Sequence, residues 1–150
     1  MLFLTVKLVH IAAAITAVGL NVSYGVWLAR ARSSAANTVF ALKGIKFLDN
    51  RIANPAYGVL LVTGILMMVL EPYPILTFWI DAAVIIYAAI AILGIAVYAP
   101  LVREQVKLAE AGDVASEGYV ALAGRGRAIG LVLVLLVFVI LMLMVFKPTP

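Results

Sequence analysis

The sequence predicts an all-α fold, a bundle of four transmembrane helices. Three observations carry this: 66% of its 150 residues are hydrophobic, only 12% are charged, and mean hydropathy is +1.18. A soluble domain needs roughly twice that charged fraction to cover its surface. One domain, residues 1–150, accommodates four spans of about 20 residues and their connections, leaving no room for a large soluble unit.

Four continuous apolar runs are expected as helices, at about residues 4–29, 54–70, 76–101 and 128–146. At 1.5 Å per residue they cover about 25–39 Å, enough to cross a hydrocarbon core near 30 Å thick, with tilt for the longer ones. The runs do not alternate in polarity, which excludes a closed β-barrel. In lipid, helices then remain as the way to satisfy every backbone group. Within the first run, the stretch from Leu8 to Leu28 follows Lys7 but is too long for the apolar core of a signal peptide, and Asn21 interrupts it. It is expected as a permanent helix.

The connections differ in charge. Glu71-Pro72-Tyr73-Pro74, between the second and third runs, is a tight turn without a basic residue. Arg30, Arg32, Lys43, Lys46 and Arg51 lie between the first and second runs, and Arg103, Lys107, Arg125 and Arg127 between the third and fourth. Nine of the 11 basic residues therefore fall in two connections. By the positive-inside rule both face the cytoplasm, and both termini face outward. The +4 net charge thus reads as an orientation signal rather than a nucleic-acid surface. Within the first basic connection, apolar residues among Lys43 and Lys46 predict a short interfacial helix. Asn54-Pro55 reads as a helix start, with Asn54 as cap and proline in the first turn. The third helix is expected to run on to Ala111 and stop at Gly112-Asp113, while Gly124 and Gly126 loosen the entry to the fourth.

No cysteine is present, which excludes disulfides, thiolate metal sites, iron–sulfur clusters and a cysteine nucleophile. His10 is the only histidine. Ala14, Ala17, Asn21 and Leu28 lie within about 40° of its direction on a helix, and Gly25 about 60° away. This stripe of small residues permits close helix packing. His10 and Asn21 are read as hydrogen-bonded packing residues, with His10 as a haem or metal ligand, or a proton-handling group, in the functional alternative. Connectivity puts Met67, Met68, Glu71 and Asp81 near His10 in depth. Imidazole and thioether suit haem iron or copper, although Met67 and Met68 are equally ordinary gap-fillers. Asp81 is costly so close to lipid unless paired or hydrated, and His10 or Lys7 is its expected partner. Tyr87, Ala91, Gly94 and Tyr98 share one face of the third helix and read as packing, as does Gly126-x-x-x-Gly130. The fourth helix, without a polar residue from Leu131 to Val145, reads as a wall toward lipid or a partner subunit.

Several short motifs occur in order: Lys7-Leu8-Val9-His10, Ile52-Ala53-Asn54-Pro55, Thr63-Gly64, Trp79-Ile80, and Tyr98-Ala99-Pro100 before Arg103. On these the chain resembles the bacterial integral membrane family catalogued as domain of unknown function 2269, over most of residues 4–110. The resemblance implies a four-helix protein of the bacterial plasma (inner) membrane. The family looks distantly similar to copper-resistance protein D and the haem-linked protoporphyrinogen oxidase, which also place a histidine near the start of a first helix. That analogy reaches His10 alone. The expected role is non-enzymatic: an accessory or assembly subunit in the lipid bilayer, packing against other membrane subunits or copies of itself, without nucleic acid and with no cofactor. A haem- or copper-binding protein centred on His10, with Met67 or Met68 as second ligand, is the alternative. The charge distribution predicts that a reporter fused after Pro150 works only on the outer side of the membrane; a cytoplasmic signal from that fusion reverses the orientation.

Overall fold

The computed structural model describes residues 1–149 except Ser33, Pro72, Tyr73, Ile75 and Leu76. Among them six α-helices form: α1 (Leu2–Ala31), α2 (Ala35–Leu48), α3 (Asn54–Leu70), α4 (Phe78–Leu93), α5 (Ala99–Glu110) and α6 (Glu117–Phe146). π-Helical turns at Asp49–Ala53 and Gly94–Tyr98 fuse α2 to α3 and α4 to α5. The outcome is four long apolar helices of 30, 36, 33 and 30 residues, each fit to cross a membrane.

Asn54 is not a helix cap. It is helical itself, and its backbone N–H donates to the Asp49 carbonyl five residues back. The reason is Pro55, which lacks an N–H and crowds the carbonyl of the preceding turn. Widening that turn accommodates the ring without ending the helix. The same device recurs at Pro100, where Ala99 N–H donates to the Gly94 carbonyl. The segment expected as a separate interfacial helix is therefore the first part of a 36-residue helix, capped by Ser34, whose Oγ accepts from Asn37 N at 3.1 Å. Residue 76, the expected start of the third span, and Pro72 and Tyr73 of the predicted turn lie outside the described residues.

The third helix does continue to Glu110 and ends as expected. Gly112 adopts φ +84°, and Asp113 N donates to Leu108 O at 2.9 Å, the bond pattern of a glycine-terminated helix. The fourth helix begins eleven residues earlier than its apolar run because Ser116 Oγ accepts from Tyr119 N at 3.2 Å and caps it. Its glycines do not loosen it. Gly126 is buried, and a Cβ there would lie 3.0 Å from Leu101 Cδ2, so glycine is what lets α6 approach α5.

A helix of 36 residues rises about 54 Å, against about 30 Å of hydrocarbon. The surplus projects at the basic end, where the last turns of α1, all of α2 and α5 and the first turns of α6 meet. There the described residues hold their one buried apolar cluster. Leu42 (2% exposed), Val106 (7%) and Ala109 (3%) pack with Leu28, Val39, Val102, Val114 and Tyr119 around them. An exposed ion pair between Lys43 and Glu110 (2.8 Å) ties α2 to α5, contributing orientation more than stability. Within the spans, α1 packs chiefly on α3 and α4 on α6, whereas α3 and α4 make no close backbone approach. At the opposite end Lys147 Nζ lies 5.3 Å over the Trp79 ring, closing the α4–α6 pair.

This arrangement predicts where truncation hurts. Leu42→Ala should cost about 2–5 kcal/mol, the range for a buried leucine. Ile85→Ala, at a position 68% exposed on α4, should stay within about 0.5 kcal/mol. Unfolding in mixed micelles measures both, and the reverse order would mean the projecting cap is not what holds the bundle.

Candidate functional site: a cavity between two helix pairs

Because the α1–α3 and α4–α6 pairs diverge, a cavity of about 1190 Å³ opens between them. On α1 its wall is Asn21, Tyr24, Gly25 and Leu28, a run at helical spacing. From Val18 to Arg32, both in the lining, α1 rises about 21 Å, so the cavity reaches from the basic end deep into the bundle. Tyr57 and Gly58 of α3 face Tyr87, Ala91, Gly94 and Tyr98 across it. The stripe on the third helix that reads as packing is thus a cavity wall. Helix α6 contributes Val134, Val137, Phe138 and Leu141, so the expected lipid-facing helix turns one side to the cavity as well.

Polar contacts set the wall's geometry. Asn21 Nδ2 donates to Ala17 O at 2.8 Å and to the Tyr57 hydroxyl at 3.0 Å. Tyr87 OH donates to the Tyr57 carbonyl at 2.8 Å, a bridge across the gap where α3 and α4 backbones do not meet. The Tyr24 side chain is 4% exposed, yet its hydroxyl has no hydrogen-bond partner among the described residues. A buried hydroxyl without a partner costs about 1–3 kcal/mol, and protein atoms close this one off from the cavity as well as from solvent. Toward the basic end the lining becomes charged, with Arg32, Arg103 and Arg127 against the single carboxylate of Asp49. Asn54 lines this part and its Nδ2 lies 3.5 Å from Asp49 Oδ2, so its role is polar lining rather than capping.

His10 lies outside this cavity. Its Nδ1 sits 2.8 Å from Thr63 Oγ1, and Thr63 Oγ1 donates to Val59 O at 2.6 Å. With the hydroxyl proton committed to that carbonyl, Oγ1 is the acceptor and Nδ1 carries the ring proton, leaving the Nε2 lone pair. A Cβ on Gly64 would lie 3.5 Å from His10 Cε1, an ordinary contact, so the ring lies against α3 at Thr63-Gly64 without requiring glycine there. Of the face of α1 expected to pack inward, Ala17 is fully buried, His10, Ala14, Asn21 and Leu28 are half-buried, and Gly25 is exposed. Met67 is half-buried and Met68 exposed. Asp81 is half-buried, but its expected pairing does not form: His10 bonds Thr63, and no ion pair to Asp81 occurs among the described residues. Those residues also hold no group of three His, Cys, Asp or Glu side chains placed to share a metal.

Residues 4–148 match the model of a family described as predicted integral membrane protein (DUF2269). The chain belongs to that family. The match runs through all four long helices, so the membrane assignment covers cap and spans alike. No curated protein and no solved structure matches the chain, and the likeness to copper-resistance protein D has no counterpart in these comparisons.

Within this family member, the polar lining residues not singled out in the sequence include Tyr24, Asp49, Tyr57 and Gln105. A weak signal existed. Asn21 and Tyr24 share one side of α1, as Asn54 and Tyr57 do on α3, and both pairs stand near the basic end of their spans. The bond from His10 to Thr63 joins α1 and α3 inside lipid. His10→Ala and Thr63→Val should therefore couple by roughly 0.6–2 kcal/mol in a double-mutant cycle of unfolding, and strict additivity would show that the pair does not interact in the membrane.

Proposed function

We propose that the protein is a non-catalytic component of the bacterial inner membrane that holds an amphipathic small molecule between its helix pairs. The observation that carries this reading is the cavity itself, of ligand size, with an apolar wall along α6 and phenols and a carboxamide on the helices opposite. Sites for small molecules combine apolar walls with a few convergent polar groups. Here the phenols of Tyr57, Tyr87 and Tyr98 and the arginines near the rim suit a hydrogen-bonding or anionic head, while the α6 wall suits an apolar body. In this reading the basic end lies in the cytoplasm, following the charge of the two basic connections. The accessory-subunit role would use the outer face of α6, whose most apolar stretch has none of its residues buried. Lipid alone asks that exposure of any outer helix, so the exposure adds nothing to that role, whereas the cavity needs an occupant.

Haem or copper at His10 is the second reading, favoured by one observation: the tautomer set by Thr63 leaves Nε2 with its lone pair. Under this reading the purified protein carries a Soret band or stoichiometric copper that His10→Ala removes. Colourless, metal-free native protein discards it without touching the cavity proposal.

The cavity itself is tested by filling it. Gly25, Gly58 and Gly94 line it, and a Cβ on any of them meets nothing within 4 Å. Leucine at each, introduced singly, should enter open space and leave the fold intact. Native mass spectrometry of protein extracted from its host membrane should show a discrete retained molecule on the parent that at least one of these variants loses. Parent protein carrying nothing beyond bulk lipid, or the same adduct on all variants, would overturn the proposal.

A further inference from the structure

A second concavity, separate in most of its lining from the cavity, runs along the outside of the cap between α2 and α5. It measures about 480 Å³ and brings together Lys43, Lys46 and Arg51 from one helix with Arg103 and Lys107 from the other. Two of these cations are already paired: Lys43 with Glu110 at 2.8 Å and Lys107 with Glu104 at 2.6 Å. Lys46, Arg51 and Arg103 have no carboxylate within ion-pair distance among the described residues. Glu110, which also lines the groove, offsets only part of this positive charge, so the groove keeps an excess of cations that favours a bound anion.

The position of the groove decides which anion. Arg51 precedes the first residue of α3 by three positions and Arg103 follows Pro100 by three, so each stands about one helical turn beyond an apolar span. That is the level of the phosphate layer rather than of bulk water. Phe47 lines the same groove and is 62% exposed, an apolar ring left open beside the cations. Cations together with an uncovered aromatic ring match a phosphate attached to acyl chains, whereas free phosphate would have no use for the ring. Basic pockets beside membrane helices bind anionic headgroups by the same chemistry.

We propose that this groove is a binding site for the phosphodiester headgroup of an anionic phospholipid, held by Lys46, Arg51 and Arg103 with Phe47 against the first acyl carbons. The full chain is reconstituted in nanodiscs of phosphatidylcholine containing a minority of phosphatidylglycerol, and the lipids it retains are counted by native mass spectrometry. Phosphatidylglycerol should be enriched on the parent protein. The double variant Lys46→Gln/Arg51→Gln should lower that enrichment on the order of tenfold, from two cations at the membrane surface. Arg103 is left intact because it also borders the cavity, which keeps the two proposals separable. The control Arg30→Gln/Arg125→Gln removes equal charge from the same end at residues outside both concavities, and should keep the enrichment. Equal loss in both double variants would mean a general surface potential and overturn the site. Inorganic phosphate at millimolar concentration should displace little of the lipid; full displacement, or equal thermal stabilisation by phosphate in pure phosphatidylcholine, would assign the groove to a soluble anion instead.

Discussion

Lipid tails are as apolar as leucine, so burying an aliphatic side chain between two spanning helices gains almost nothing over leaving it in the bilayer. Helices longer than the membrane is thick escape that limitation, because their projecting ends meet water and recover the full hydrophobic effect. This constraint organises the molecule. The buried apolar cluster around Leu42 and Val106 lies in the projecting cap, while the spans expose Ile85, Ile92 and Val139 freely. Inside the bilayer the helices are fixed instead by small residues and a few polar contacts: His10 to Thr63, Asn21 to Tyr57, and Tyr87 to the Tyr57 carbonyl.

The cap joins the two helix pairs through α2 and α5. With the pairs anchored there, α3 and α4 are held by the side-chain bridge from Tyr87 to the Tyr57 carbonyl rather than by close backbone packing, and the space between them becomes the cavity. The two π-helical turns stand at the passage from span to cap. Each allows a proline to sit in a helix that continues rather than stops, so that cap and span remain one rigid rod. A true break at Pro55 or Pro100 would have uncoupled the cap from the spans and left the mutual angle of the two pairs unset.

Two different chemistries result at the basic end. Inside the bundle, phenols and a carboxamide face an apolar wall, which suits a molecule with distinct polar and apolar parts. Outside, cations without a carboxylate at ion-pair distance among the described residues line a groove beside the spans, which suits an anionic headgroup. Arg103 and Asn50 line both, so occupancy of the outer groove and of the cavity meets at one shared rim.

Much of this was legible in the residue string. Composition and run length dictate four spanning helices, because lipid leaves the backbone no other regular way to bond itself. The stop at Gly112 was also readable, since only glycine takes that left-handed conformation without strain. The small-residue face of α1 followed from helical periodicity. Other features depended on three-dimensional contacts. Asn54-Pro55 has the chemistry of a helix start, and only the widened turn before it, stabilised by α2 continuing into the cap, made it a passage. His10 was read toward Met67, Met68 or Asp81 by depth alone, but depth does not fix rotation about a helix axis, and the packing of α1 on α3 turned the ring to Thr63. The Tyr87–Tyr98 stripe illustrates the same point. Its residues share a face by helical geometry, yet whether that face meets a neighbour or a void depends on the splay of two helix pairs, which is set by contacts among residues far apart in the chain.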